Sequence, residues 1–177
     1  MNFVPYRGCK KEDISQGFNQ THFANDFWFP NCYGTWLVAP ENVKIVKLEN
    51  ATILDGSTDG LNRGYGIRMR SIAHPEVEYL YWHCLPVFPV EVGDIVLGGE
   101  EVAQIGNSGI CYSQGILVAL GDKLNGKYPG SHLHYEEYKN LLFLDPSLDI
   151  DFNKQPKGDA LKEILITLLK IFNLYKK

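Results

Sequence analysis

Between Gly34 and Leu144 the chain repeatedly alternates apolar and polar positions with a period of two, the spacing of a half-buried strand. Residues 65–73 show it plainly: Ile67, Met69 and Ser71 fall on one side, Arg68, Arg70 and Ile72 on the other. Residues 35–39, 43–48, 77–84, 90–96 and 101–106 read as further strands, 115–120 as an apolar one, and 141–144 as the last. Pro40-Glu41-Asn42, His74-Pro75-Glu76 and Asn107-Ser108-Gly109 supply turns, which makes 65–84 a hairpin candidate. Residues 55–64 and 122–130 are polar loops. Residues 1–21, mixed and polar with Gly8 and Gly17, read as a lead-in segment and loop.

After Asp145-Pro146-Ser147 the period changes. Residues 151–159 read as a linker, and Asp159 is placed to cap a helix over 160–177. Leu161, Ile164, Leu165, Leu168, Ile171, Phe172 and Tyr175 recur at helical spacing. About 16 residues at ~1.5 Å each reach roughly 24 Å, too short to cross a bilayer comfortably, and Lys170 sits in the middle. Such a helix has three uses: packing on its own domain, pairing with a partner helix, or lying on a membrane surface. The organisation expected is therefore a β domain over 1–150, a linker over 151–159 and an amphipathic helix over 160–177.

Composition agrees with this picture and narrows it. The 177 residues are 45% hydrophobic and 21% charged, enough for a core without disulfide staples. Seventeen glycines, ten tyrosines and nine phenylalanines favour an all-β protein rich in turns. A net charge of −4 gives no electrostatic footprint for nucleic acid. Cys9, Cys32, Cys84 and Cys111 lack Cys-x-x-Cys spacing, so they suggest a chain made in a reducing compartment, with a Cys9–Cys32 disulfide left open. Met1 to Gly17 contains no apolar stretch of the secretory-signal kind.

Candidate chemistry concentrates in Ser131-His132-Leu133-His134-Tyr135-Glu136. In a strand His132 and His134 share one face, while Leu133 and Tyr135 take the other. Imidazole is both a common metal ligand and a common general base, but His-x-His alone defines no site. Upstream, His22 and Asp26 lie among aromatics, and imidazole plus carboxylate is acceptable zinc coordination. Taken singly, His22-x₃-Asp26 reads as a surface accident, and His83 beside Trp82 as a satisfied interfacial histidine. His74, next to Pro75, reads as structural or surface.

Taken together and in order, these pieces resemble the lysostaphin-type peptidoglycan metallopeptidases, the LytM domains. Gln16-Gly17-Phe18 followed by His22 and Asp26 is similar to that family's first metal motif, and Gly64-Tyr65-Gly66 leading towards His74 to its central strand. Tyr81-Trp82-His83 resembles its catalytic-histidine strand. Residues 92–96 through 105–109 resemble its glycine-turn segment, and Gly130 through Glu136 its final His-Leu-His motif. The resemblance covers roughly residues 14–148. The chain departs from the family at Ala24, where glycine is usual, at Cys84, where an aliphatic residue is usual, and at Ser131, where proline is common. Ala24 and the aromatic run 27–29 point to an unusual groove wall.

The resemblance implies an all-β fold: an antiparallel sheet sandwich of the LytM, duplicated-hybrid-motif type, with a metal site in a groove. It implies Zn2+ held by His22, Asp26 and His134, with His132 and His83 as catalytic residues. Three protein ligands leave a position for water, as catalytic rather than structural zinc sites do. The implied activity is zinc-dependent hydrolysis of peptide bonds in bacterial peptidoglycan stems or cross-bridges. The expected place of action is the cell wall, reached either as a bacteriophage lysin made in the cytoplasm or as a trimmed form of an exported enzyme. The alternative is a LytM-like module that grips peptidoglycan or activates another hydrolase without cutting. A biotinyl-type carrier would need a lysine at the hairpin tip, and Asn107-Ser108-Gly109 has none.

Overall fold

The computed structural model describes residues 2–49, 63–123 and 127–156. The expected C-terminal helix and the end of the expected linker lie outside the described residues. Within them the chain is an antiparallel β protein. The strands are β1 (Ile14–Gln16), β2 (Asn25–Phe27), β3 (Trp36–Val38), β4 (Val43–Glu49), β5 (Tyr65–Ser71) and β6 (Val77–Cys84). They continue with β7 (Ile95–Val96), β8 (Glu101–Gln104), β9 (Tyr112–Ser113), β10 (Ile116–Leu117), β11 (Leu133–Lys139) and β12 (Leu142–Leu144), and a single helical turn, α1 (Leu120–Lys123), precedes β11.

Eight strands form one sheet in the order β1-β2-β11-β6-β5-β4-β7, with β12 also paired to β11. The β4–β5–β6 meander is the part that alternation predicts most directly. Lys44, Arg70 and Glu78 face outward, while Ile45, Met69 and Tyr79 are buried. A two-stranded β3–β8 ribbon lies over the inner face, and the core sits between the two layers. Leu37, Ala103 and Ile105 from the ribbon side meet Ile67, Tyr81, Leu133 and Tyr135 from the sheet. The Tyr81 hydroxyl donates to the Val38 carbonyl at 2.9 Å and so ties the layers together. Burying a side chain of this size contributes about 2–3 kcal/mol.

Three expectations need correction. The lead-in segment contains β1, and the aromatic stretch after it contains β2. Both are three residues long, too short for a pattern, and they are strands because β2 pairs with β11. Residues 90–96 shrink to the two residues of β7, since Gly93 turns the chain at φ 103° and donates to the Ile45 carbonyl. The apolar run 115–120 is not a core strand. Ile116 and Leu117 are exposed at 73% and 54%, pair only with β9, and give way to α1. Among the described residues no helix is long and apolar enough to cross a membrane.

Candidate metal centre

β11 is the platform. It lies between β2 and β6, and its register sets His134 opposite Asp26 on one side and Trp82 on the other. Directly opposed residues in a ladder share a face, so Asp26 and His134 meet although 108 positions separate them. His134 Nδ1 lies 2.8 Å from Asp26 Oδ1. His22 arrives on a tight loop. The Asn19 side chain accepts from the Thr21 and His22 backbone N–H groups, and buried Asn25 accepts from the Phe18 N–H. This Asx-type turn brings His22 Nε2 to 3.4 Å from Asp26 Oδ2. His132, one residue before β11, places its Nε2 3.7 Å from the same oxygen.

His83 reaches the site against its strand parity. Tyr81 faces the core and Trp82 the His134 side, so regular alternation would turn His83 back into the core. Its φ of 60° breaks the alternation. The ring then lies 4.6 Å from that of His132 and 5.7 Å from that of His134, centroid to centroid. A left-handed non-glycine residue costs of order 1 kcal/mol and persists only where its surroundings enforce it. They do so here. The His83 N–H donates to the Arg63 carbonyl, Ser108 Oγ donates to the Cys84 carbonyl, and the Tyr65 N–H donates to Ser108 Oγ. Gly106 packs so closely that a Cβ there would stand 2.8 Å from the Cys84 carbonyl carbon and the Leu85 nitrogen.

Hydrogen-bond partners fix which nitrogen each imidazole presents. A carbonyl oxygen only accepts, so the nitrogen beside it carries the proton. His22 Nδ1 meets the Gly17 carbonyl at 3.3 Å, His83 Nδ1 that of Ser108 at 2.8 Å, and His132 Nδ1 that of Gly130 at 2.8 Å. All three therefore turn Nε2 towards the centre. His134 is reversed: its Nε2 meets Glu136 Oε1 at 3.1 Å and its Nδ1 faces Asp26.

The electrostatics divide the histidines in two. Burial, then the neighbouring His132 and His134, holds His83 well below the ordinary imidazole range. Burial likewise lowers His132, against the opposing pull of Asp26. Burial would lower His134 too, but hydrogen bonds to Asp26 and Glu136 outweigh it and raise it. Burial works against ionisation of Asp26. Hydrogen bonds with His134 and His22 and the nearby His132 overcome that and hold it well below the carboxylate range. The centre thus sets a carboxylate whose charge is favoured beside one imidazole whose protonation is favoured and two whose protonation is disfavoured.

The donors suit a small divalent cation. Ligand atoms of His22, Asp26 and His134 lie within 4.8 Å of one another, and so do those of His83, His132 and His134. Two tetrahedral zinc ligands at about 2.1 Å from the metal lie roughly 3.4 Å apart. The 3.4 Å between His22 Nε2 and Asp26 Oδ2 matches that spacing. The site opens into a cleft of about 910 Å³ whose lining includes the half-exposed Trp28 and Tyr112. Trp28 is the member of the aromatic run 27–29 that lines the cleft; Phe27 is core.

Sequence reasoning missed the supports behind these groups. Glu136 is 1% exposed and accepts from the Tyr138 hydroxyl at 2.7 Å, from Arg63 Nη1 and from His134. Parity could have found it, since Glu136 shares a strand face with His134; Arg63 and Ser108 carried no signal. His74 stands apart, its side chain 67% exposed beside Glu76. All four cysteines are buried and free, and burial pushes Cys9 and Cys111 up to about 12.

Several solved structures share this fold. LytU is 26% identical over 76% of this chain and 81% of its own, with a TM-score of 0.54. A zinc-containing peptidase from Vibrio cholerae is 19% identical over 82% of this chain, with a TM-score of 0.55. The antimicrobial peptidase lysostaphin from Staphylococcus simulans is 20% identical over 82%, with a TM-score of 0.54. The chain spans 39% of the Vibrio protein and 52% of lysostaphin. These neighbours are members of the LytM/M23 peptidase family. No protein-family profile and no curated protein matches the chain.

Proposed function

We propose that the chain is a zinc-dependent endopeptidase that hydrolyses peptide bonds of bacterial peptidoglycan. The observation that carries this reading is the orientation of four imidazoles and one carboxylate, each fixed from behind, around one point in an open cleft. The fold shared with lysostaphin and with a zinc-containing peptidase supports the metal and the reaction type.

In this reading His22 Nε2, Asp26 and His134 Nδ1 hold the zinc. Of the two groupings, this one contains the carboxylate, and Glu136 would keep the other nitrogen of a ligating His134 oriented. Bound zinc supplies Lewis acidity that polarises a scissile carbonyl and makes water a nucleophile near neutral pH. His132, neutral and with Nε2 turned inward, accepts the proton of the attacking water and returns it to the leaving amine. His83 also presents an unprotonated Nε2, because its ring proton stays on Nδ1, which donates to the Ser108 carbonyl. It therefore orients the water as an acceptor, and stabilising an oxyanion would first require it to be protonated.

Zymography on purified peptidoglycan, with mass spectrometry of the fragments, tests the reading. Zinc-dependent release of new amino termini, lost with chelator and in His132→Ala, is the expected result. Absence of release from several peptidoglycan types, with zinc bound stoichiometrically, would reject it in favour of a binding module.

A further inference from the structure

Arg63 is the only lysine or arginine among the described residues that line the cleft. It is held from three sides. Its carbonyl accepts the His83 N–H at 3.0 Å, its Nη1 donates to Glu136, and its guanidinium carbon lies 5.7 Å from the centre of the Trp82 ring. Yet its side chain is 35% exposed, against 1% for Glu136. A guanidinium carries five N–H donors in a rigid fork, more than one Glu136 oxygen and the Tyr138 hydroxyl take up. Asp26, the only carboxylate among the described residues that line the cleft, is committed to the imidazoles. A fixed, partly exposed guanidinium at the edge of the cleft calls for an anionic group on the ligand, and carboxylate matches the fork geometry.

We propose that Arg63 determines specificity by pairing with a substrate carboxylate near the scissile bond, so that the cleft selects acidic peptides over uncharged ones such as glycine chains. This rests on the peptidase reading and adds the charge class of its substrate. Arg63 is bound to Glu136, which is bound to His134, so the recognised carboxylate sits within a residue or so of the bond cut.

The test uses the zinc-loaded full chain and two synthetic stem peptides of identical sequence, one with free carboxylates and one fully amidated. Hydrolysis rates and affinities are measured for both, in wild type, Arg63→Gln and Arg63→Lys. The expected preference of wild type for the free carboxylate is about tenfold, the scale of a charge-assisted hydrogen bond. The ratio collapses towards one in Arg63→Gln and is partly kept in Arg63→Lys, which retains the charge and loses the fork. Equal handling of both peptides by wild type overturns the proposal. So does a uniform loss in Arg63→Gln with the ratio intact, the signature of a residue that only neutralises Glu136. If neither peptide is cut, the peptidase reading fails by itself, and the affinity ratio judges Arg63 by the same criterion.

Discussion

Glu136 and Glu137 are neighbours on β11, both almost fully buried, and their surroundings drive them in opposite directions. Glu136 faces the metal-centre side. Burial works against its charge, but hydrogen bonding with His134, the Arg63 charge and the Tyr138 hydroxyl hold it below the usual carboxylate range. Glu137 faces the core side with Leu133 and Tyr135. Burial, then Asp149, Glu41 and Asp145, pushes it up to about 8, and its Oε2 has no hydrogen-bond partner among the described residues. Burial is common to both, so the partners decide. The site face brings cations and donors to a carboxylate, and the core face brings other carboxylates.

The sharpest way to break this contrast is to cut the two faces one residue apart. On the proposed reading, His134→Ala should abolish zinc binding and reduce peptidoglycan hydrolysis more than ~1000-fold, since a proposed ligand and its neighbour Glu136 are both disturbed. Elemental analysis that still finds one zinc per chain would reject its ligand role. Leu133→Ala, on the core face, should cost about 2–5 kcal/mol in urea unfolding and leave zinc stoichiometry unchanged.

Smaller effects separate the two glutamates. Glu136→Gln should weaken zinc about 10–100-fold in chelator competition, because the imidazole loses its anionic support. Unchanged affinity would mean that Glu136 serves only to pair with Arg63. Glu137→Gln should leave zinc affinity alone and change the pH profile of stability. Glu137 holds its proton more tightly folded than unfolded. Its contribution is therefore complete below the unfolded value near 4.5, declines as pH rises, and is gone above about 8. The variant should thus gain on wild type by up to about 4 kcal/mol between pH 5 and pH 9, read from thermal melts. A constant difference across that range would place the titration elsewhere.

Much of the scaffold was legible. The alternation over 43–48, 65–73 and 77–84 matches the meander closely, with β5 ending two residues early at Ser71, and β6 has the bounds that the turn at 74–76 and the run after it suggest. β1 and β2 were not legible, because three-residue strands owe their existence to the partner they pair with. The apolar run at 115–120 misled for the converse reason: hydrophobic residues favour burial only where a surface is offered, and Ile116 and Leu117 stay exposed, with only β9 as a strand partner among the described residues. Of the site, His22, Asp26, His83, His132 and His134 stood out as residues in order, and the structure brings all five to one cleft. Their supports Asn25, Ser108 and Arg63 did not stand out, since a buried amide, a turn serine and a loop arginine look ordinary until something is packed against them.

By itself the sequence determined what local chirality determines: where the longer strands of the meander run, which residues of 133–137 share a face, and that His132 and His134 face together. Tertiary structure alone decided that Asp26 lies opposite His134, that His83 abandons its strand parity to join them, which ring nitrogen each histidine offers, and which of two adjacent glutamates stays charged. The physical reason is range. Alternation is written in neighbouring residues, whereas register, hydrogen-bond partners and local electrostatics come from chain segments brought together only by folding.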